Sequence, residues 1–291
     1  MRIALFGNIY KKESIEQIKV LFNVLKTRNA QIITDKDFFE FFKQDINNHG
    51  LSIEVMENCC DFNADLAVSI GGDGTFLNTA CRIGNKGIPI LGINTGRLGF
   101  LADVSRDEIE PAINEFFNNQ YFIEQRSVIE LKTDNPNFHN HTFALNEIAV
   151  LKQDSSSMIG IKVNINGEYL NNYQADGLII ATPTGSTAYS MSVGGPLVVP
   201  QASSLIISPV APHSLNIRPL VIPDSWTIEL EVKSRNKSFL VSLDGRSEIF
   251  EQPYKLIIKK GDYTVKVIKR AEHTFFNALR TKLMWGMDKR S

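Results

Sequence analysis

Cysteine is scarce: three residues in a chain of 291. Cys59 and Cys60 are neighbours, Cys81 stands apart, and no Cys-x-x-Cys pair or Cys/His ligand spacing occurs. That excludes a disulfide scaffold and a structural zinc site, and a reduced compartment is expected. Charge of one sign is also lacking, since the net charge is −1. Nothing in the balance points to nucleic acid or an anionic membrane surface. No apolar run is long enough to span a bilayer, and Met1–Asn8 lacks the long apolar region and cleavage site of a signal peptide. A cytoplasmic location is expected, with no nucleic-acid partner and no membrane partner. No clean repeat or low-complexity tract is present, and the most linker-like piece, Asp154–Ser157, is expected to be a surface loop. The Gly-Lys-Ser/Thr of a Walker A loop is missing, as is the Gly-x-Gly-x-x-Gly spacing.

What is there begins with a core. Hydrophobic residues make up 43% and charged residues 22%, as in a globular protein of one large or two ordinary domains. The chain is organised around Leu66-Ala67-Val68-Ser69-Ile70-Gly71-Gly72-Asp73-Gly74-Thr75-Phe76-Leu77. Leu66–Ile70 is short, apolar and bounded by glycine, which predicts a buried strand. A helix is predicted from Thr75 to Arg82. Gly71, Gly72, Gly74 and Thr75 form a turn whose backbone can approach a phosphate, with the unpaired N–H groups of the following helix beside it. A carboxylate inside such a cradle repels phosphate. Asp73 therefore fits if it holds Mg²⁺ or takes a proton from a nucleophile, and otherwise it merely caps the helix.

Before this stretch, Ile3–Phe6 predicts a central strand. Ile15, Ile18, Leu21, Phe22 and Leu25 recur at helical spacing after Ser14, a candidate cap. Strands are expected at Ile32–Thr34 and Leu51–Met56, with a helix between them over Asp37–Ile46. Its phenylalanines suit core packing better than a ligand box. After it, Ile88–Gly92 predicts a strand that ends in the turn Gly92–Leu101, and Asp107–Phe117 predicts a helix. Strands alternating with helices imply a Rossmann-like α/β domain with a mostly parallel sheet, over residues 1–118. From Tyr121 the texture changes to short alternating runs, among them Arg126–Thr133, Thr142–Leu151, Ile159–Ile165, Leu178–Ala181, Ser204–Pro209, Trp226–Val232, Phe239–Leu243, Tyr254–Lys260 and Tyr263–Ile268. A larger β-rich C-terminal domain is expected over 119–272. A last helix within 273–291 is expected to rejoin the first domain.

The second domain has its own dense stretch, Asp176 through Pro196, where an acid opens a strand and a hydroxyl-rich turn follows. Such a turn offers neutral donors suited to phosphate, ribose and base edges, and Tyr189 adds a stacking face. Caps and turns favour Ser and Thr in any case. Asn146-Glu147 interrupts the apolar run Phe143–Leu151. Burying that pair is costly without partners, so it either cross-links backbone or lines a polar pocket. Asp244-Gly245 predicts a hairpin turn, from which Arg246 could reach a phosphate. His139 and His141 have no third ligand nearby and are expected on a surface loop.

Taken together, the set resembles the NAD kinase family. Its carriers are Gly71–Thr75, Gly92–Leu101, Asn146-Glu147, Asp176–Pro196, Arg218–Pro223 and Thr281–Trp285, in the family's order. The first loop alone is shared with lipid kinases and, more loosely, phosphofructokinases. The resemblance implies transfer of the γ-phosphoryl group of ATP to the 2′-hydroxyl of the adenosine ribose of NAD, giving NADP. It also implies a divalent metal cation, Mg²⁺, and a homotetramer or homodimer. Asp73 matches the general base. Gly74, Asn146 and Glu147 match NAD contacts, with Asp176 and Ala211 near the nicotinamide half. Thr187, Ala188, Tyr189, Ser190 and Ser192 match the turn around the adenosine half. Ser157 and Gln174 are positions where the family varies. Where many members have Asp-Gly-Gln, this chain has Asp244-Gly245-Arg246, so Arg246 is expected to touch the NAD through its charge, without the amide's own contact. A lipid kinase of the diacylglycerol or sphingosine type would explain the first loop but predicts a basic amphipathic helix, which the sequence lacks. A dinucleotide sensor without chemistry would be expected to lack Asp73.

Overall fold

The computed structural model describes residues 1–10, 14–46, 50–57, 61–96, 99–138, 141–153, 157–251 and 254–286. Cys59, Cys60, Arg97, Leu98, His139 and Asp154–Ser156 lie outside these. Two compact units are present, Met1–Gln125 with Val265–Ser291, and Arg126–Thr264. The boundaries fall at 125/126 and 264/265 rather than at 118/119 and 272/273, so the first unit holds slightly more of the chain. Two long strands run through the boundaries, which a change of sequence texture does not reveal.

In the first unit, β1 (Arg2–Gly7), β2 (Gln31–Thr34), β3 (Ile53–Val55), β4 (Leu66–Gly71) and β5 (Ile90–Asn94) pair in parallel, in the order β5-β4-β1-β2-β3. Helices α1 (Ser14–Thr27), α2 (Lys36–Ile46) and α3 (Asp73–Ile83) follow β1, β2 and β4, and α4 (Ile109–Phe117) follows β5. All six residues of β4 are buried, as a strand covered on both faces requires. α1 turns Ile18, Leu21, Phe22 and Leu25 inward. Phe38 and Phe42 of α2 are buried, and Phe42 meets Phe22 edge-on at 5.5 Å between ring centroids. Each buried ring contributes about 1.5–3 kcal/mol relative to exposure. The phenylalanines of α2 are core.

The second unit is antiparallel. β6 (Phe122–Thr133) enters it, followed by β7 (Phe143–Ala144), β8 (Glu147–Lys152), β9 (Ile159–Ile165), β10 (Glu168–Ala175) and β11 (Gly177–Ala181). A 3-10 turn at Thr184–Thr187 leads into the one-turn helix α5 (Tyr189–Ser192). Then come β12 (Ser204–Val210), β13 (Leu220–Pro223), β14 (Ile228–Lys233), β15 (Ser238–Leu243), β16 (Arg246–Glu251) and β17 (Lys255–Lys269). One sheet has the order β13-β12-β11-β8-β15-β16, and β10-β9-β14-β17 forms another. Between them lies a core that includes Ile148, Val150, Ile161, Val163, Leu230 and Phe239. The alternation along β9 is complete, every second residue being buried.

Two runs predicted as separate strands, Tyr254–Lys260 and Tyr263–Ile268, are one strand, β17. Gly261 does not turn the chain. A Cβ there would stand 2.6 Å from Val128, so the glycine serves close packing within an extended strand. β10 was not predicted because its sequence, Glu-Tyr-Leu-Asn-Asn-Tyr-Gln-Ala, is polar and buries only Tyr173 and Ala175. The last helix, α6 (Phe275–Leu283), is capped by Thr274, whose Oγ1 accepts the Asn277 N–H, and belongs to the first unit. Among the described residues no helix is long and apolar enough to cross a membrane.

Candidate functional site

At the end of β4 the chain turns through Gly71 and Gly72 into α3, whose N-cap is Gly72. A Cβ on Gly71 would lie 2.2 Å from Thr75 Oγ1, so close approach demands glycine there. Gly72 and Gly74 face nothing within 4 Å of where a Cβ would be, which leaves room beside the opening N–H groups of α3. Asp73 does not cap its own helix. Its Oδ2 accepts the Phe100 N–H at 2.8 Å, and its Oδ1 accepts those of Leu101 and Ala102 at 3.0 Å each. Gly99 is required by this contact, because a Cβ on it would lie 2.0 Å from Asp73 Oδ1. The two turns picked out separately in the sequence thus meet at one carboxylate.

Around them, Asn94 ties the second turn together: its Oδ1 accepts the Gly96 N–H at 2.7 Å and its Nδ2 donates to Ala102 O at 3.2 Å. Thr95 is buried, and its hydroxyl has no partner among the described residues. No site role was assigned to Thr95 from sequence, where it is one more turn threonine. A cavity of about 240 Å³ opens beside the cradle, lined by Gly7, Asn8, Asp35, Thr75, Asn78 and Arg82 among others. Arg82 pairs with Asp35 at 2.6 Å and lies over the Phe6 ring.

In the second unit, Glu147 opens β8, with Asn146 just ahead of it, beside the end of β11, and Glu147 lies opposite Ala181. Both are buried, and among the described residues Asn146 Oδ1 and Glu147 Oε2 have no hydrogen-bond partner. The backbone is cross-linked from elsewhere. Asp244, in the β15–β16 hairpin turn, accepts the N–H groups of Leu145 at 2.7 Å, Asn146 at 2.8 Å and Glu147 at 3.1 Å. Asp244 and Gly245 both have positive φ, 50° and 82°, as a type I′ turn needs. Burial, then the nearby Asp244, pushes the Glu147 carboxyl up from 4.5 to about 7, against the Tyr189 N–H that bonds to it. Burial also raises Asp244, opposed by its three N–H donors and by Arg246.

The hydroxyl-rich turn is stapled to the same segment. Thr182 N–H donates to Asn146 O at 2.8 Å, and Thr182 Oγ1 donates to Leu145 O at 2.5 Å. Gly185 packs on Asn146, whose oxygen would stand 2.2 Å from a Cβ. Thr187 and Ala188 are half-buried, while Tyr189 and Ser192 are exposed. Ser190 differs: it is fully buried and its hydroxyl pairs with Ser208 at 3.0 Å, which holds the turn. Gln174, Asp176 and Ala211 come together, because Asp176 N–H donates to Val210 O and His213 N–H donates to Gln174 O. Ala211 has φ 43°, a conformation rare outside glycine and costing on the order of 1 kcal/mol or more. Asp176 is paired with Lys152 at 2.7 Å. Ser157, two residues ahead of β9, is half-buried. Arg246 donates from Nη2 to Phe143 O at 2.7 Å and from Nε to Leu243 O at 3.0 Å. Its guanidinium braces the backbone leading to Asn146, and the side chain also lines a cavity with Phe138, His141 and Ser247. Among the described residues no group of three or more His, Cys, Asp or Glu side chains is placed to hold a metal ion.

The sequence profile described as the ATP-NAD kinase N-terminal domain matches residues 3–121, and that of the ATP-NAD kinase C-terminal domain matches residues 145–270. A protein named NAD kinase from Bacteroides fragilis is 53% identical over 290 residues, covering 100% of both chains. Another from Cytophaga hutchinsonii is 42% identical over 292 residues, again covering 100% of both. Among solved structures, yeast NADH kinase complexed with NADH superposes with a TM-score of 0.91 at 23% identity, covering 99% of this chain and 88% of that one. An NAD kinase from Archaeoglobus fulgidus in complex with ATP superposes with a TM-score of 0.76 at 25% identity, covering 96% and 99%.

Proposed function

The chain belongs to the ATP-NAD kinase family, and on that premise we propose that Asp73 is the general base in the ATP-dependent phosphorylation of NAD. The γ-phosphoryl group of ATP passes to the 2′-hydroxyl of the adenosine ribose of NAD. The hydroxyl proton goes to Asp73, the new O–P bond forms, the bond to the β-phosphate oxygen breaks, and ADP leaves with NADP as product. One observation carries the role of Asp73: three backbone N–H groups fix its carboxylate beside the open glycines of the cradle. Oδ1 accepts two of those bonds and Oδ2 one. A carboxylate has about four acceptor positions, so Oδ2 keeps one for the incoming proton.

The phosphates of ATP belong, in this reading, at the N-terminus of α3 and the cavity beside it. In the second unit the proposed NAD contacts are the unpartnered Asn146 Oδ1 and Glu147 Oε2, with Thr187, Ala188, Tyr189 and Ser192 around the adenosine half. Asp176 and Ala211 belong, in this reading, near the nicotinamide half, with Ser157 and Gln174 as weaker contacts. A buried acceptor pair without donors suits ribose hydroxyls and an adenine amine. The donor set fits a divalent cation such as Mg²⁺ as one carried by the ATP phosphates, since the described residues offer no cage of their own. When bound, it neutralises phosphate charge during transfer. The remaining steps belong to the chain: Asp73 accepts the proton, and the cradle positions the phosphates. A homodimer or homotetramer is part of the proposal, supported by the exposed apolar Leu220 and Val221 on edge strand β13.

The test is an end-point assay of purified protein with ATP, Mg²⁺ and NAD, read by an NADP-specific dehydrogenase, with a diacylglycerol tube alongside. NADP that requires both ATP and the cation is expected. Phosphorylated lipid without NADP would overturn the reaction proposed here, and light scattering of the same sample reads the assembly.

A further inference from the structure

Lys282, a half-buried residue, lies on α6, the last helix, and its ammonium sits 5.2 Å from the centre of the Phe100 ring. Phe100 is the residue whose N–H bonds to Asp73 Oδ2. The charged groups that bear on Lys282 are Asp103, Lys269 and Asp73. Neither carboxylate is bonded to it. Asp103 is bonded to Lys269 and faces His273, and Asp73 holds three backbone N–H groups. Among the described residues no carboxylate pairs with the Lys282 ammonium and no acceptor takes its hydrogens. Burial lowers its pKa, with Lys269 adding to that and the two aspartates opposing.

A desolvated cation with three unplaced donors is costly unless an anion meets it. The aromatic face below it offsets part of that cost and holds it in place. The strand and turn leading to α6 are anchored independently, by Lys269 to Asp103, by Arg270 to Glu108 and Glu115, and by His273 to Glu108. The helix therefore presents Lys282 from a fixed base.

We propose that Lys282 binds a phosphate group of a substrate nucleotide next to Asp73, and that this is the polyphosphate of the phosphoryl donor. This rests on the kinase reading above and extends it to a residue from the far end of the chain. A cation in that place neutralises charge on the group in transfer and gives the carboxylate of Asp73 and the anionic donor a common neighbour of opposite sign.

The experiment measures Lys282→Met and Lys282→Arg in the full chain. Affinities for ATP, for inorganic tripolyphosphate and for NAD are read by calorimetry, and NADP formation supplies kcat and each KM. For Lys282→Met, affinity for ATP and for tripolyphosphate is expected to fall at least tenfold, with NAD affinity within twofold. Lys282→Arg is expected to recover most of the loss. A fall for NAD alone would overturn the assignment to the donor and place Lys282 at the dinucleotide's pyrophosphate. Unchanged affinities and unchanged turnover would overturn phosphate binding altogether, as would a lower melting temperature with normal ATP affinity. If Lys282→Met does not fold, Lys282→Gln reads the same quantities. A wild-type chain that binds ATP but makes no NADP would count against the reaction, not against Lys282.

Discussion

Asp73 and Glu147 are both carboxylates in polar turns, and their surroundings give them opposite characters. Asp73 accepts three N–H groups, whereas Glu147 Oε2 accepts none. Asp73→Asn keeps the size of the side chain and removes the basic oxygen. Turnover is expected to fall by about 10²–10⁴, the usual contribution of a general base, with NAD affinity within a few-fold. Steady-state rates and NAD titration of the variant check this, and near wild-type kcat would rule Asp73 out as the base. For Glu147 the folded pKa of about 7 exceeds the ordinary 4.5. The folded state then holds a proton that the unfolded state has lost, so stability falls as pH rises from 4.5 to about 7 and is level above that. At about 1.4 kcal/mol per unit the cost at pH 8 is roughly 3 kcal/mol. Glu147→Gln is expected to be more stable than the wild type at pH 8 by an amount of that order, with little difference at pH 4.5, and to bind NAD more weakly. Urea unfolding at the two pH values decides it. By sequence alone the Asn146-Glu147 pair is open between cross-linking backbone and lining a pocket. The cross-linking falls to Asp244, which in sequence reads only as part of a turn, and the orphaned oxygens favour the pocket.

Whole elements are arranged so that one loop presents its backbone to a side chain from another. The strand–turn pairs β4–α3 and β5–turn were each recognisable from apolar runs ended by glycine. What joins them, Asp73 to residues 100–102, depends on β4 and β5 being parallel neighbours. Gly99 is the hinge of that contact. Gly99→Ala is expected to push the Asp73 carboxylate off its donors and to lower kcat at least tenfold, while ATP and NAD affinities change less. A crystal structure or kinetics of the variant checks this, and unchanged kcat would show that the three N–H groups do not govern Asp73. The same logic explains the misread elements. β10 is too polar to announce itself, and Gly261 looks like a turn until Val128 is seen beside it.

Across the whole molecule, the chain's end returns to the first unit through ion pairs. Arg270 reaches Glu115 at 2.8 Å and Glu108 at 3.0 Å, and His273 Nε2 lies 2.9 Å from Glu108. Asp103, whose oxygen is 3.7 Å from His273 Nδ1, raises the His273 pKa by charge attraction at a distance too long for a hydrogen bond. Burial opposes this, and Glu108 adds to it. Burial pushes Asp103 up, but Lys269 and His273 outweigh it and hold it below the ordinary carboxylate range. The signs follow. His273 stabilises fully below about pH 6.5 and loses that contribution as pH rises through its folded value. Asp103 stabilises fully above about pH 4 and loses its contribution as pH falls. His273→Gln is accordingly expected to lower the melting temperature more at pH 5.5 than at pH 8. Equal losses at both would show that the histidine acts by packing alone.

The sequence by itself determined the fold class, the run of core strands such as Leu66–Gly71 and Ile159–Ile165, and the residues of the two turns. Those depend on local hydrophobic period and on glycine, which short stretches carry in full. Tertiary structure alone decided which polar atoms have partners. Leu145–Glu147 meet Asp244 across 97–99 residues of chain. Lys282 stands over Phe100 because the tail is tied back by Lys269 and Arg270. Hydrogen-bond satisfaction and desolvation are properties of groups brought together in space, and no window of sequence contains both members.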